Sequence, residues 1–233
     1  MTQRDGASSA WGQFEQGGNL NEAIAVARQA IVTAADDHDR AGLLNRLGEL
    51  LYRRFEWTGE LIDLDEAIAV VRQAIQNAPP HRVDQVTFLN NLASSLRTRF
   101  KWTGEVADLY QAIDIARKAV EVSPARGPQY PAVLSNLGAM LSEVGQLDEA
   151  LGVAQEAVAI RRRLVELSPE AYEPDLAMSL SNLGAMLSEV GRLDEALWVA
   201  REAVAIRRRL VELSPKAYEP DLAMSLSNLG AML

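Results

Sequence analysis

Ser135–Leu180 reads SNLGAMLSEVGQLDEALGVAQEAVAIRRRLVELSPEAYEPDLAMSL, and Ser181–Leu226 reads SNLGAMLSEVGRLDEALWVAREAVAIRRRLVELSPKAYEPDLAMSL. These two 46-residue stretches align without a gap and differ at only four positions: Gln146/Arg192, Gly152/Trp198, Gln155/Arg201 and Glu170/Lys216. A third copy starts at Ser227 and runs through SNLGAML to Leu233. Self-similarity at a fixed period signals a repeat architecture, in which each unit buries its apolar face against its neighbours. Working upstream, the unit persists in diverged form: Leu47, Leu92, Leu137, Leu183 and Leu229 are spaced by 45, 45, 46 and 46 residues. The interval from that leucine to the residue opening the second half (Glu66, Gln111, Glu149, Glu195) changes from 19 to 12 while the period holds. One segment lengthens as the other shortens, which is what a fixed stacking distance requires.

Each unit reads as two helices. Leu176, Leu180, Leu183 and Leu187 recur at three- and four-residue steps, and Leu193, Leu197, Ala200, Ala203, Ile206, Leu210 and Leu213 form a second stripe of the same period. The prolines are expected between repeats or in the first turn of a helix, where the missing N–H costs least. Gly145 and Gly191 stand where a first helix must stop; Trp57-Thr58-Gly59 and Trp102-Thr103-Gly104 do the same in a longer connection. With no sustained period-two alternation, the expectation is an all-α chain of about eleven helices.

The 233 residues are 48% hydrophobic and 24% charged, a globular composition, and the formal net charge of −9 argues against a nucleic-acid-binding module. There is no cysteine, so no disulfide framework, thiolate metal site or cysteine nucleophile. No segment has the length and apolarity of a signal peptide or membrane span, so the reading is a cytoplasmic protein without a membrane partner.

The run Asn182-Leu183-Gly184, then Leu187, Gly191, Asp194-Glu195-Ala196, Ala200 and Ala203 resembles the tetratricopeptide repeat. Gly48, Gly138, Gly184 and Gly230, with Ala93 in the same register, remove bulk where two helices approach, and Ala67, Ala112, Ala150 and Ala196 offer the matching small surface. At 45 or 46 residues the unit is longer than the usual repeat of about 34. This extended form is similar to the repeats of the kinesin light chain and of bacterial arrays attached to signalling ATPase or caspase-like domains. The resemblance implies a right-handed α-solenoid of antiparallel helix pairs. Its expected parts are a degenerate capping pair at 4–36 using Trp11 and Phe14, full repeats at 37–82, 83–127, 128–173 and 174–219, and an unpaired terminal helix at 220–233.

In such a superhelix the first helix of each pair lines the concave surface. The position before the signature leucine holds Arg46, Asn91, Asn136, Asn182 and Asn228. Asparagine inside a helix costs up to roughly 0.7 kcal/mol relative to alanine, so the ladder needs a reason. Two readings are open: the amides grip the backbone of an extended peptide, as the family resemblance implies, or each bridges adjacent repeats. The same face carries Glu49 and Arg53, then Ser94 and Arg97, then Glu143 and Glu189; two readings are open, a groove basic at its N-terminal end and acidic at the other that orients a peptide, or, as is usual for isolated exposed charges, only a solvated face.

Other features read more simply. Arg161-Arg162-Arg163 and Arg207-Arg208-Arg209 fan around their helices instead of forming one patch, with Arg162–Glu166 and Arg208–Glu212 as expected i,i+4 pairs. Asp65-Glu66, Asp148-Glu149 and Asp194-Glu195 are expected in the first turn of each second helix, complementing its dipole. His38 and His81 fall in loops and bring no further ligands, so no metal or cofactor is expected. Trp57 and Trp102 are expected to cover the long connections. No acid, base and nucleophile can be grouped, so the expectation is a non-catalytic scaffold whose partner is a protein or peptide. Leu222, Leu226, Leu229 and Leu233 have no second helix in this sequence to cover them, so either the array continues past Leu233 or, as the alternative to the scaffold, this edge makes the chain a self-assembling module, as a homodimer.

Overall fold

The computed structural model describes residues 20–78, 83–124, 127 and 129–232, apart from the side chains of His38 and Val83. Trp11, Phe14, His81 and Leu233 lie outside these residues. Every described element is a helix: α1 Leu20–Val32, α2 Asp37–Thr58, α3 Leu61–Asn77, α4 Val83–Thr103, α5 Val106–Val122, α6 Tyr130–Glu143, α7 Leu147–Leu167, α8 Pro169–Glu189, α9 Leu193–Leu213 and α10 Pro215–Ala231. The chain forms two compact units, Met1–Val122 and Ser123–Leu233.

Within each unit, consecutive helices pack on one another and alternate helices touch as well, α2 with α4, α6 with α8 and α8 with α10. This is the stacked-pair arrangement of an α-solenoid. Four left-handed glycines close the first helices: Gly59, Gly104, Gly145 and Gly191 have φ of 74° to 77°, which a side chain resists. The turn at Gly145 is completed by Gln146 N–H donating 2.9 Å to the Leu141 carbonyl, and Arg192 repeats this bond to Leu187.

The repeated small residues do what their register predicts. A methyl group at Gly48 would sit 2.4 Å from Val71 Cγ2 and 3.4 Å from the Ala67 carbonyl oxygen. At Gly138 the nearest atoms are Val153 Cγ2 at 3.1 Å and Ala150 O at 3.3 Å; at Gly184 they are Val199 Cγ2 at 3.3 Å and Ala196 O at 3.6 Å. Gly230, on the terminal helix, has nothing among the described residues within 4 Å. The core between the pairs is leucine and alanine, with Leu51, Leu96, Leu141 and Leu187 all buried.

The helices depart from the sequence reading in several places. Pro174 and Pro220 lie inside α8 and α10, which begin at Pro169 and Pro215. Pro169 and Pro215 take the first helical position, and the donor lost at Pro174 would have faced Glu170, an exposed residue of the first turn. His38 belongs to the first turn of α2, where the Asp36 carboxylate caps the helix by accepting from Asp39 N–H at 2.7 Å, and not to a loop. Because α3 starts at Leu61, Asp65 and Glu66 fall in its second turn, and Asp63 is the acid of the first. Asp148, Glu149, Asp194 and Glu195 do sit in first turns.

Two kinds of internal fastener were not foreseen. In unit 1, Arg54 on α2 donates to both oxygens of the buried Asp63 on α3, at 2.7 and 2.5 Å, and its third nitrogen reaches Asn21 on α1 at 2.8 Å. One repeat on, Arg99 does the same with Asp108, at 2.7 and 2.6 Å, and with Asp65 at 2.8 Å. Each arginine thus ties its own pair to the preceding second helix, and its charged form is held by the Asp hydrogen bond: both guanidiniums are raised above the ordinary arginine range. In unit 2 the fastener is a buried arginine on the second helix. Arg161 donates to Ser135 on α6 at 2.8 Å and to Ser179 on α8, and Arg207 to Ser181 at 2.9 Å. Burial lowers both of these arginines. The expected Arg162–Glu166 pair is replaced by Arg162–Glu202 at 2.6 Å, between α7 and α9, and Arg209 reaches Glu173 at 2.6 Å. Stacking the repeats brings a second helix nearer than the next turn of the same one.

Candidate functional site

The clearest site in unit 1 is an open cavity of about 300 Å³ between α2 and α4, floored by Gly48 and Val71. Five residues singled out by repeat register line it: Arg46, Glu49 and Arg53 from α2, with Asn91 and Ser94 from α4. Register explains the convergence. Positions 46, 49 and 53 lie on one face of α2 at three- and four-residue steps, and the 45-residue period puts 91 and 94 opposite them. Arg97 does not line the cavity.

The polar network here is already partly engaged. Arg46 donates to Glu49 at 3.0 Å, so the basic end of the ladder is cancelled at that point. Asn91 Nδ2 donates to Asn45 Oδ1 and to Glu49 Oε1, both at 3.1 Å, and Asn45 Nδ2 donates to the same Glu49 oxygen at 2.9 Å. Asn91 therefore bridges repeats, one of the two roles the ladder left open. Buried Asn45 was not singled out, although its place one residue before Arg46 on the same helix turn was the available signal. Tyr52 Oη and Thr98 Oγ1, 2.9 Å apart, form a second bridge at the cavity wall. Arg53 is exposed and carries no hydrogen bond or ion pair among the described residues, which makes it the cation of the cavity.

In unit 2 the equivalent positions do not converge in the same way. Asn136 is half-buried and already engaged by a neighbour, Asn182 is exposed, and Glu143 and Glu189 are exposed. Ser142 Oγ donates to Glu189 at 2.9 Å across the α6–α8 pair. Of these, Glu189 lines a cavity, a shallow one of about 310 Å³ shared with Ser188, Asn228 and Met232. At the terminal edge, Leu226 is 41% exposed where its counterpart Leu180 is fully buried, and Leu222 and Leu229 are half-exposed where Leu176 and Leu183 are buried. The Ser225 hydroxyl beside them is buried without a partner among the described residues.

Trp102 does cover a connection, but that of the preceding repeat: it packs edge-on to Phe55 at 5.2 Å and lies over Gly59. Trp57 covers nothing comparable among the described residues and is 80% exposed. Among the described residues no helix is long and apolar enough to cross a membrane, and no cluster of His, Asp and Glu has the makings of a metal site.

Two models described as the tetratricopeptide repeat match residues 132–209 and 86–124, together half of the chain. The chain belongs to the tetratricopeptide repeat family. Solved structures share the fold of this tetratricopeptide repeat protein. BtubC (BKLC) from P. vanneervenii is 20% identical, with 91% of this chain and 82% of that one covered and a TM-score of 0.67. A putative kinesin light chain from Podosopora anserina with nearly identical TPR-like repeats is 16% identical, with 81% of this chain and 95% of that one covered and a TM-score of 0.57. YrrB, a TPR protein with an unusual peptide-binding site, is also 16% identical, with 93% and 86% covered and a TM-score of 0.56. No curated protein matches the sequence.

Proposed function

We propose that this tetratricopeptide repeat chain is a non-catalytic cytoplasmic scaffold that holds a peptide segment of a partner protein on the α2/α4 face of unit 1. The convergence of Arg46, Glu49, Arg53, Asn91 and Ser94 on one open cavity carries the reading. Family membership supports it, as does the solved structure of a TPR protein with a peptide-binding site. The cavity offers a cation in Arg53 that has no partner among the described residues, a hydroxyl in Ser94, and an Asn91–Glu49–Asn45 network that keeps those groups in place. Arg53 and Ser94 are the primary contacts, with Asn91 secondary because its amide is occupied. The boundaries expected from the repeat register, one array of a capping pair, four pairs and a terminal helix, belong to the same proposal.

The test is a peptide array probed with the full chain, followed by titration of the captured peptides against Arg53→Ala, Ser94→Ala and Asn91→Ala. The expected result is about a tenfold loss for Arg53→Ala, equivalent to about 1.4 kcal/mol, with unchanged helicity and melting. Unchanged affinity in the Arg53→Ala, Ser94→Ala double variant overturns the site.

A second reading, homodimerisation through α10, is favoured by one observation: Leu222, Leu226 and Leu229 carry the sequence of an interior face yet are partly exposed. An isologous dimer would cover them. Light scattering across a concentration series tests it, with Leu226→Glu and Leu229→Glu restoring a monomer. A wild-type monomer at tens of micromolar removes it.

A further inference from the structure

Three of the four differences between the 46-residue copies bear on one place in unit 2. A groove of about 350 Å³ runs between the second helices α7 and α9, whose backbones stay apart above the close-packed α8. Its floor is apolar: Leu183 and Leu187 of α8, Val158 of α7 and Val199 of α9. Gln155, one of the differing positions, lines the α7 wall, and Trp198, another, lines the α9 wall. Arg192, a third, donates to both oxygens of the rim residue Glu195, at 2.7 and 2.6 Å.

Trp198 is 59% exposed, with the Arg162 guanidinium 5.1 Å from its ring centre on one face. Arg162 is itself neutralised by Glu202 at 2.6 Å, as Glu195 is by Arg192. Among the rim charges this leaves Asp194, exposed and without a hydrogen bond or ion pair among the described residues, as the uncompensated one. A large indole where the sister copy has only a hydrogen atom, an apolar floor and a single free carboxylate together define a surface complementary to a cation beside an aliphatic group. The fold of the repeat itself does not demand the indole, since Gly152 occupies the same position with nothing among the described residues within 4 Å.

We propose that this groove is a second docking site, on the layer of second helices and separate from the α2/α4 cavity, for a partner segment that presents a leucine-like side chain next to a lysine or arginine. The aliphatic group enters over Leu183 and Leu187. The cation pairs with Asp194 and rests on the face of Trp198 that Arg162 leaves open, where cation–π attraction adds to the ion pair. The net charge of −9 favours encounter with such a segment.

The probes are end-blocked Ala-Leu-Lys-Ala and its counterpart Ala-Leu-Glu-Ala, titrated into the full-length chain and followed by the indole N–H signal of Trp198 in NMR. That signal is assigned as the one missing in Trp198→Gly, a variant that restores the residue of the sister copy and is checked for folding by circular dichroism. The lysine peptide is expected to shift the Trp198 signal and to bind about tenfold more tightly than the glutamate peptide. Trp198→Gly and Asp194→Asn should each weaken it by about five- to tenfold. Equal binding of the two peptides, or full affinity in Trp198→Gly, overturns the proposal, because the second result leaves only unspecific attraction to an acidic chain. So does a wild type that sediments as a dimer and becomes monomeric in Trp198→Gly with no response to peptide, which would assign the groove to a second copy.

Discussion

Placing alanine at Gly48 and at Gly152 should move stability in opposite directions, although both sites are glycines inside helices. A glycine-to-alanine change in a helix interior stabilises by roughly 0.8–1 kcal/mol, through the entropy the unfolded chain no longer has. At Gly152 the new methyl meets nothing among the described residues within 4 Å, so the full gain of about 0.8 kcal/mol is expected. At Gly48 the methyl lies 2.4 Å from Val71 Cγ2, more than 1 Å inside the separation of about 3.5–4.0 Å at which carbon atoms attract. Val71 is buried and β-branched, so relief comes from moving α3 away from α2, not from turning one side chain. Overpacking of this kind costs about 1–3 kcal/mol, and after the helix gain of about 0.8–1 kcal/mol it leaves a net loss of up to about 2 kcal/mol. Gly138 and Gly184, with contacts at 3.1 and 3.3 Å, should fall between the two. Urea unfolding followed by circular dichroism gives the ranking, and native-state hydrogen exchange assigns each change to its own unit, since repeat arrays need not unfold in one step. Ala93, buried in the register of Gly48, shows that an alternative solution exists one repeat on. If Gly48→Ala is as stable as Gly152→Ala, the close approach of α2 and α3 does not require glycine and the reasoning fails.

Asp63→Ala should cost about 1.5–3 kcal/mol by removing the charge-assisted hydrogen bonds of the partly exposed Arg54, and Asp108→Ala should match it through Arg99; thermal unfolding measures both. Arg161→Met should stay within about 1 kcal/mol of wild type, because the nearest carboxylate to this buried cation, the exposed Asp175, is 4.0 Å away and stays solvated when an apolar chain of similar length replaces the arginine, whereas Arg54→Met, which orphans the buried Asp63, should be clearly destabilising. Arg192 holds the Glu195 carboxyl below the usual glutamate range, first through its hydrogen bonds and then by charge, so the pair's contribution is complete above the unfolded pKa and is lost as pH falls through the folded one. Arg192→Gln, the residue of the sister copy, should return the Glu195 titration to the ordinary range in NMR. The near-identity of Ser135–Leu180 and Ser181–Leu226 should produce concentration-dependent, swapped species on refolding; a single exponential at every concentration would count against this.

The period of 45 or 46 residues, the leucine stripes and the recurring glycines determined the helix pairs, because any sequence that repeats an amphipathic unit at fixed spacing must stack it. The left-handed turns at Gly59, Gly104, Gly145 and Gly191 were legible for the same local reason: a helix stop needs a residue free of a side chain. Register alone also brought Arg46, Glu49, Arg53, Asn91 and Ser94 to one face. What the sequence left open was decided by partners distant in the chain. Whether Asn91 grips a ligand or bridges repeats depended on Asn45 and Glu49, 46 and 42 residues away. That Arg161 is buried and Arg162 spans to Glu202 depended on which side of α7 faces α8. The Arg54–Asp63 and Arg99–Asp108 fasteners lay across a turn whose path only the packed helices define. Hydrophobic period is a property of one helix and shows in its own residues, whereas the pairing of polar groups depends on the few ångströms between helices, which no single segment encodes.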